Sequence, residues 1–132
     1  MTAITHQIRN ITDSFAGAVL GTAVYAVWAA YVNWDAGRNA ALLSAATQWF
    51  ISIIVTYYGF VIMRWCYGRS GQVRGGLQAF FGGLISTYVL ALALHFAMGT
   101  PHILLTLAAG LIPNLVVSAS YAWLLMHTES NL

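Results

Sequence analysis

Ser44-Ala-Ala-Thr-Gln48-Trp-Phe-Ile-Ser52-Ile-Ile-Val-Thr56 is an apolar run in which polar residues recur at every fourth position. Residues four apart lie near one another on one face of a helix. The same spacing continues on either side of this stretch, as Gly17, Gly21, Tyr25, Ala29, then Gly83, Thr87, Ala91, His95, then Gly110, Asn114, Ser118, Ala122. In lipid, helices recognise one another by close backbone approach and interhelical hydrogen bonds, because the tails are as apolar as leucine. Four apolar runs with such stripes predict a membrane bundle packed through them.

Composition supports that reading. Of 132 residues, 6% are charged and 60% hydrophobic, and mean hydropathy is +0.75. A soluble domain carries about 25% charged residues, so this chain could not furnish a soluble surface. A hydrocarbon core about 30 Å thick takes roughly 20 apolar residues per helix. The expected spans are about 15–32, 41–63, 77–96 and 103–126, none with Asp, Glu, Lys or Arg. The fold class is therefore all-α, a polytopic membrane protein of four transmembrane helices in two hairpins, with residues 1–132 forming one integral membrane domain. The first run is longer than the 7–15 apolar residues of a signal peptide and carries Tyr25 and Trp28, so it is read as a retained span.

The five basic residues are all arginines. Arg9 precedes the first span, Arg64, Arg69 and Arg74 lie around the central link, and Arg38 alone lies between spans one and two. The excess of arginine on one side places both termini and the central link in the cytoplasm. A net charge of +2 is too small to imply nucleic acid, so the basic strip is read as topology beside anionic lipid headgroups. One cysteine, Cys66, excludes an internal disulfide.

Short polar links make consecutive helices antiparallel neighbours. Thr100 is expected to cap the fourth helix ahead of Pro101, and Asp13 or Ser14 to cap the first. The segments starting at Phe15 and Phe80 match at Phe, Gly, Thr and Val, and Gln48 then falls opposite Asn114 and Ser52 opposite Ser118. This leaves a parallel internal repeat of helix hairpins open.

Gln48 and Asn114 are the leading site candidates, being amides inside apolar spans that must find partners. Either they glue helices together or they line a seam that holds a substrate headgroup or ion. Ser52 and Ser118 share their stripes, and Arg64 could meet a phosphate at the membrane edge. His95 and His102 bracket the second outer turn, with Asn33 and Asp35 on the same side. Their spacing is not that of a metal site. Arg38 and Asp35 are close enough in sequence for a surface ion pair. The spans carry no carboxylate pair and no nucleophile–base motif, so an enzyme is not expected, nor a cofactor or metal.

Asn114 and the aromatic ending Tyr121-Ala122-Trp123, together with Arg64-Trp65 closing the second span, resemble the GtrA-like family of small four-helix membrane proteins. Even-numbered helices of that family end in a segment of the form Asn-Phe-x-x-x-Arg-x-x-Val-Phe; here the arginine place holds Ala119 or Ser120. The resemblance implies a carrier or flippase for polyprenyl-phosphate-linked sugars in cell-envelope glycosylation, in a bacterial inner membrane, with Asn114 and Arg64 as transferable residues. Gln48-x3-Ser52-x3-Thr56 and Gly99-Thr-Pro-His also look similar to a group of small bacterial inner-membrane proteins without known function. Two alternatives stand beside the carrier: an accessory subunit of a larger membrane complex, and a small dimeric channel or exporter. Homo-oligomerisation, with Gly17-x-x-x-Gly21 as a close-packing motif, or a larger membrane-protein partner is expected in each.

Overall fold

The computed structural model describes residues 15–68 and 72–128. These form four helices, α1 (Phe15–Val32), α2 (Arg38–Tyr67), α3 (Gln72–Ala97) and α4 (Ile103–Thr128), with a single 3₁₀ turn at Trp34–Ala36. Helix α1 ends at Val32, and α2 extends beyond its apolar stretch at both ends. The expected caps at Asp13 or Ser14, the arginines Arg9 and Arg69, and the surroundings of Gly17 lie outside the described residues. Helices α2, α3 and α4 are long and apolar enough to cross a membrane, whereas the apolar stretch Gly21–Val32 of α1 is shorter.

Helix α2 lies at the centre of the bundle, packed closely against α1 and α3. Helix α4 packs mainly on α3 and only sparsely on α1 and α2. Large apolar side chains point outward, among them Phe96, Leu104, Ile112 and Val27. Polar ones point inward, among them Asn33, Ser44, Gln48, Ser52, His95 and Thr106. That inversion of the soluble pattern is what a lipid surround demands, because hydrocarbon offers no hydrogen bonds to an outward polar group.

The stripes of α2, α3 and α4 face the interior, with Ser44, Gln48, Ser52, Gly83, Ala91, His95, Ser118 and Ala122 all buried. On α1 the stripe faces inward only in part. Gly21 is exposed with open space beside it, whereas Tyr25 lines a cavity and Ala29 is buried, as are Thr22 and Asn33 beside the stripe.

Two apolar clusters hold the bundle. One, at the Arg64 end, joins Phe60, Met63 and Tyr67 to Ala79 and to Tyr121, Ala122, Leu124 and Leu125. The other joins Ile51 and Val55 to Ala91. The α2–α3 turn depends on close backbone approach. A Cβ on Gly75 would lie 2.8 Å from the Tyr67 carbonyl, a backbone atom that cannot yield. A Cβ on Gly76 would meet Met126 Sδ, the flexible part of a side chain. Gly75→Ala should therefore cost about 1–3 kcal/mol and Gly76→Ala clearly less. Parallel thermal unfolding of both variants in one detergent checks the order, and equal losses would contradict it.

Candidate functional site

Helix α3 ends at Ala97, and Gly99 then takes φ +68°, the left-handed conformation that glycine adopts without steric cost. The Gly99 N–H donates to Phe96 O (3.2 Å) and the Thr100 N–H to His95 O (3.1 Å). This pairing is a Schellman closure, which satisfies the last carbonyls of the helix. It also folds Thr100 back over α3, so that its Oγ1 lies 2.8 Å from His95 Nδ1. Thr100 thus closes α3 instead of capping α4. The residue ahead of α4 is His102, whose N–H donates to Asn33 Oδ1 (3.0 Å).

His95 is fully buried. Its Nε2 lies 2.6 Å from Gln48 Oε1, and Gln48 Nε2 donates to Ser52 Oγ (2.9 Å). An amide oxygen only accepts, so Nε2 of His95 carries the proton and Nδ1 accepts from Thr100. The donors therefore run in one direction, from Thr100 to His95 to Gln48 to Ser52. The relay joins the α3–α4 turn to the middle of α2.

Below it lie two small cavities that share Val55, Thr56, Thr87 and Asn114. The upper one, about 30 Å³, is also lined by Tyr25, Gln48, Ser52 and Tyr88. The lower one, about 40 Å³, is also lined by Gly59, Phe60, Met63 and Ser118. A water-sized guest needs about 10–15 Å³ of such space, so each has room for one. Asn114 Nδ2 donates to Tyr88 OH (3.3 Å), which fixes which side of the amide faces the cavities. Helix α4 runs unbroken through Pro113, although the ring removes the hydrogen bond to the carbonyl of Ala109.

Of the five residues singled out in the sequence, Gln48, Ser52, Asn114 and Ser118 line this seam. Arg64 does not. Phe60 and Met63 close the lower cavity, and Arg64 lies exposed beyond them, with its Nη1 donating to Tyr121 OH (3.3 Å). The buried Tyr121 ring packs on Phe60, their centroids 4.5 Å apart. Sequence reasoning placed His95 at the membrane edge; its position as the last member of the α3 stripe is the signal that points inward.

At the Asn33 end a second polar junction ties α1 to α4. Asn33 Nδ2 donates to Ala29 O (2.8 Å) and to Thr106 Oγ1 (3.0 Å). Nearby, Trp28 Nε1 donates to Leu105 O (3.0 Å). Asp35 faces His102 Nε2 at 3.3 Å and not Arg38. Among the described residues, no group of three or more His, Cys, Asp or Glu gathers where it could hold a metal ion. No family model, curated protein or solved structure matches the chain.

Proposed function

We propose that the protein is a non-enzymatic carrier for an amphipathic, lipid-linked substrate, with four spans in a bacterial inner membrane and both termini cytoplasmic. The observation that carries this reading is the inward seam. Two intramembrane amides on different helices, Gln48 and Asn114, line one cavity together with hydroxyls, and Arg64 lies past the seam's lower end. Glue between helices needs no such space. The shared cavity also supports reading the two hairpins as a parallel repeat, in which these amides are equivalent, and transporters place their sites at repeat interfaces.

The closed seam has room only for water-sized guests, so transport of a headgroup requires α4 to part from α2. Their backbones approach only sparsely, so the parting is resisted mainly by the side-chain cluster of Phe60 and Met63 with Tyr121 and Leu125. Parting them also breaks the Arg64–Tyr121 hydrogen bond at that end of the seam. A second reading, a small dimeric channel, is favoured by the cavity size.

Native mass spectrometry of the chain extracted with its membrane in polymer discs tests the carrier. A stoichiometric polyprenyl-phosphate species bound to monomer or dimer is the expected result. A recurrent larger protein with no enriched lipid would overturn it in favour of an accessory subunit. Asn114→Leu loses one hydrogen bond, worth about 0.6–1.7 kcal/mol in a bilayer, at a half-buried position. The variant should therefore insert and purify as a monodisperse protein while losing the bound lipid. Loss of the folded protein would instead mark Asn114 as structural.

A further inference from the structure

The outward side of α2 is not uniformly apolar. Leu43, Phe50, Ile54, Tyr57 and Val61 are all exposed there, at steps of seven, four, three and four residues. Beside Tyr57 stands Tyr58, and the two are 49% and 37% exposed. Neither hydroxyl makes a hydrogen bond among the described residues. Tyr57 lies seven residues before Arg64, about 10 Å along the axis. Both phenols therefore stand in the hydrocarbon, short of the aromatic belt that Trp65 marks. They also lean away from the headgroups at that end, because every Cα–Cβ bond of a helix tilts towards its N-terminus. A hydroxyl without a partner is costly in hydrocarbon. Helix α3 supplies the contrast. Its outward residues Phe81, Ile85, Val89, Leu92 and Phe96 are wholly apolar, and lipid tails cover such a face without loss. The phenols of α2 need more than lipid.

The spacing points to the partner. Steps of four, three and four along one face belong to a left-handed helix pair, the prevailing crossing in membranes. Ile54 and Val61 fill one position of the repeat, and Leu43, Phe50 and Tyr57 the other. Branched residues at the first position favour two parallel strands, and a second copy in the same orientation presents a parallel α2. A phenol both donates and accepts, so the Tyr57–Tyr58 pair is its own complement under a two-fold rotation, as an isologous interface requires. A hollow of about 430 Å³ lies over Ile53, Ile54, Tyr57 and Tyr58 and leaves room for the incoming side chains. The stripe carries no charge before Arg64, whose Nη1 donates to Tyr121 OH. We propose that two copies of the chain pair through α2, with Tyr57 of each copy hydrogen-bonded to Tyr58 of the other inside the bilayer. The contact lies on α2 and not on Gly17-x-x-x-Gly21. It does not depend on the carrier reading, since it uses only the outer face of the closed bundle.

Energy transfer between donor- and acceptor-labelled copies of the full chain, diluted with lipid in vesicles, tests the pairing. The wild-type chain should associate as a dimer. Tyr57→Phe with Tyr58→Phe keeps the shape and removes two hydrogen bonds across the pair, so its dissociation constant should rise about tenfold. Gly21→Leu should leave that constant unchanged, since nothing lies within 4 Å of a Cβ added there. A monomeric wild-type chain, an unchanged constant in the tyrosine variant, or a loss confined to Gly21→Leu would each overturn the proposal. Should the tyrosine variant not fold, oxidative cross-linking in a Cys66→Ala background decides, because it uses outward positions only. Phe50→Cys should give a disulfide-linked dimer with copper phenanthroline, and Val89→Cys on the α3 face should not. Equal linking at both sites would mean random collision, and no linking at Phe50→Cys would leave the face to another protein; both results reject the pairing.

Discussion

His95→Leu should lower the stability of the purified protein by about 2–5 kcal/mol, seen as a marked drop in its unfolding midpoint in detergent. The imidazole is fully buried and engaged on both nitrogens. Leucine fills most of the volume, so the loss comes from the groups left behind. Gln48 Oε1 loses its donor and the Thr100 hydroxyl its acceptor, and each orphaned buried group costs about 1–3 kcal/mol. A mean interhelical hydrogen bond in a bilayer is worth only about 0.6 kcal/mol; the excess expected here reflects two orphans made by one substitution. The pair His95→Leu and Gln48→Leu should show coupling, the double variant losing less than the sum of the singles by about 1–2 kcal/mol. Strict additivity would mean that the 2.6 Å contact carries no stability of its own. His95→Leu should leave the Schellman closure in place, since that rests on Gly99 and backbone groups.

The seam was legible in the sequence where one rule governs it. A face that must pack against other helices in lipid selects small or hydrogen-bonding residues, and in α2, α3 and α4 that face recurs at four-residue spacing. Each step of four advances about 400°, some 40° beyond a full turn, so such a stripe winds slowly round its helix. It stays in contact only where neighbours follow it. Helix α2, packed along both sides, satisfies this, and Ser44, Gln48 and Ser52 are all buried. Helix α1 is packed closely on α2 alone, and its buried line joins the stripe only at Ala29 and runs on to Asn33, with Thr22 buried in place of Gly21. The partners of the polar residues were not legible. Gln48 meets His95 and Asn33 meets Thr106 across separations of 47 and 73 residues, which no local pattern encodes. The same holds for Arg64. Its place at the membrane edge follows from charge, but its separation from the seam depends on Phe60 and Met63 filling the space between. Thr100 was read forward, as a cap for the next helix, because Pro101 follows it; glycine one position earlier is the stronger local signal, since it closes the preceding helix and turns the threonine back.

Asn33→Leu is the substitution expected to rival His95→Leu, at about 3–5 kcal/mol, because it removes three hydrogen bonds at a site with no access to solvent. Asn33 Nδ2 serves Ala29 O and Thr106 Oγ1 together, and Oδ1 receives the His102 N–H at the start of α4. The first N–H groups of a helix have no partner within it, so this amide does for α4 what a capping side chain ordinarily does from within the same segment. It comes instead from the end of α1. Helices α1 and α4 touch only sparsely elsewhere, and Asn33 is therefore the principal polar tie that closes the bundle between its first and last helices. Thr106→Val removes one of the three bonds and keeps the shape, and should cost about 1 kcal/mol. Amide hydrogen exchange separates the two variants further. In Asn33→Leu the His102 amide should exchange faster by an order of magnitude or more, while in Thr106→Val it should remain protected. Equal exchange in both would show that α4 is held at this end by its packing alone.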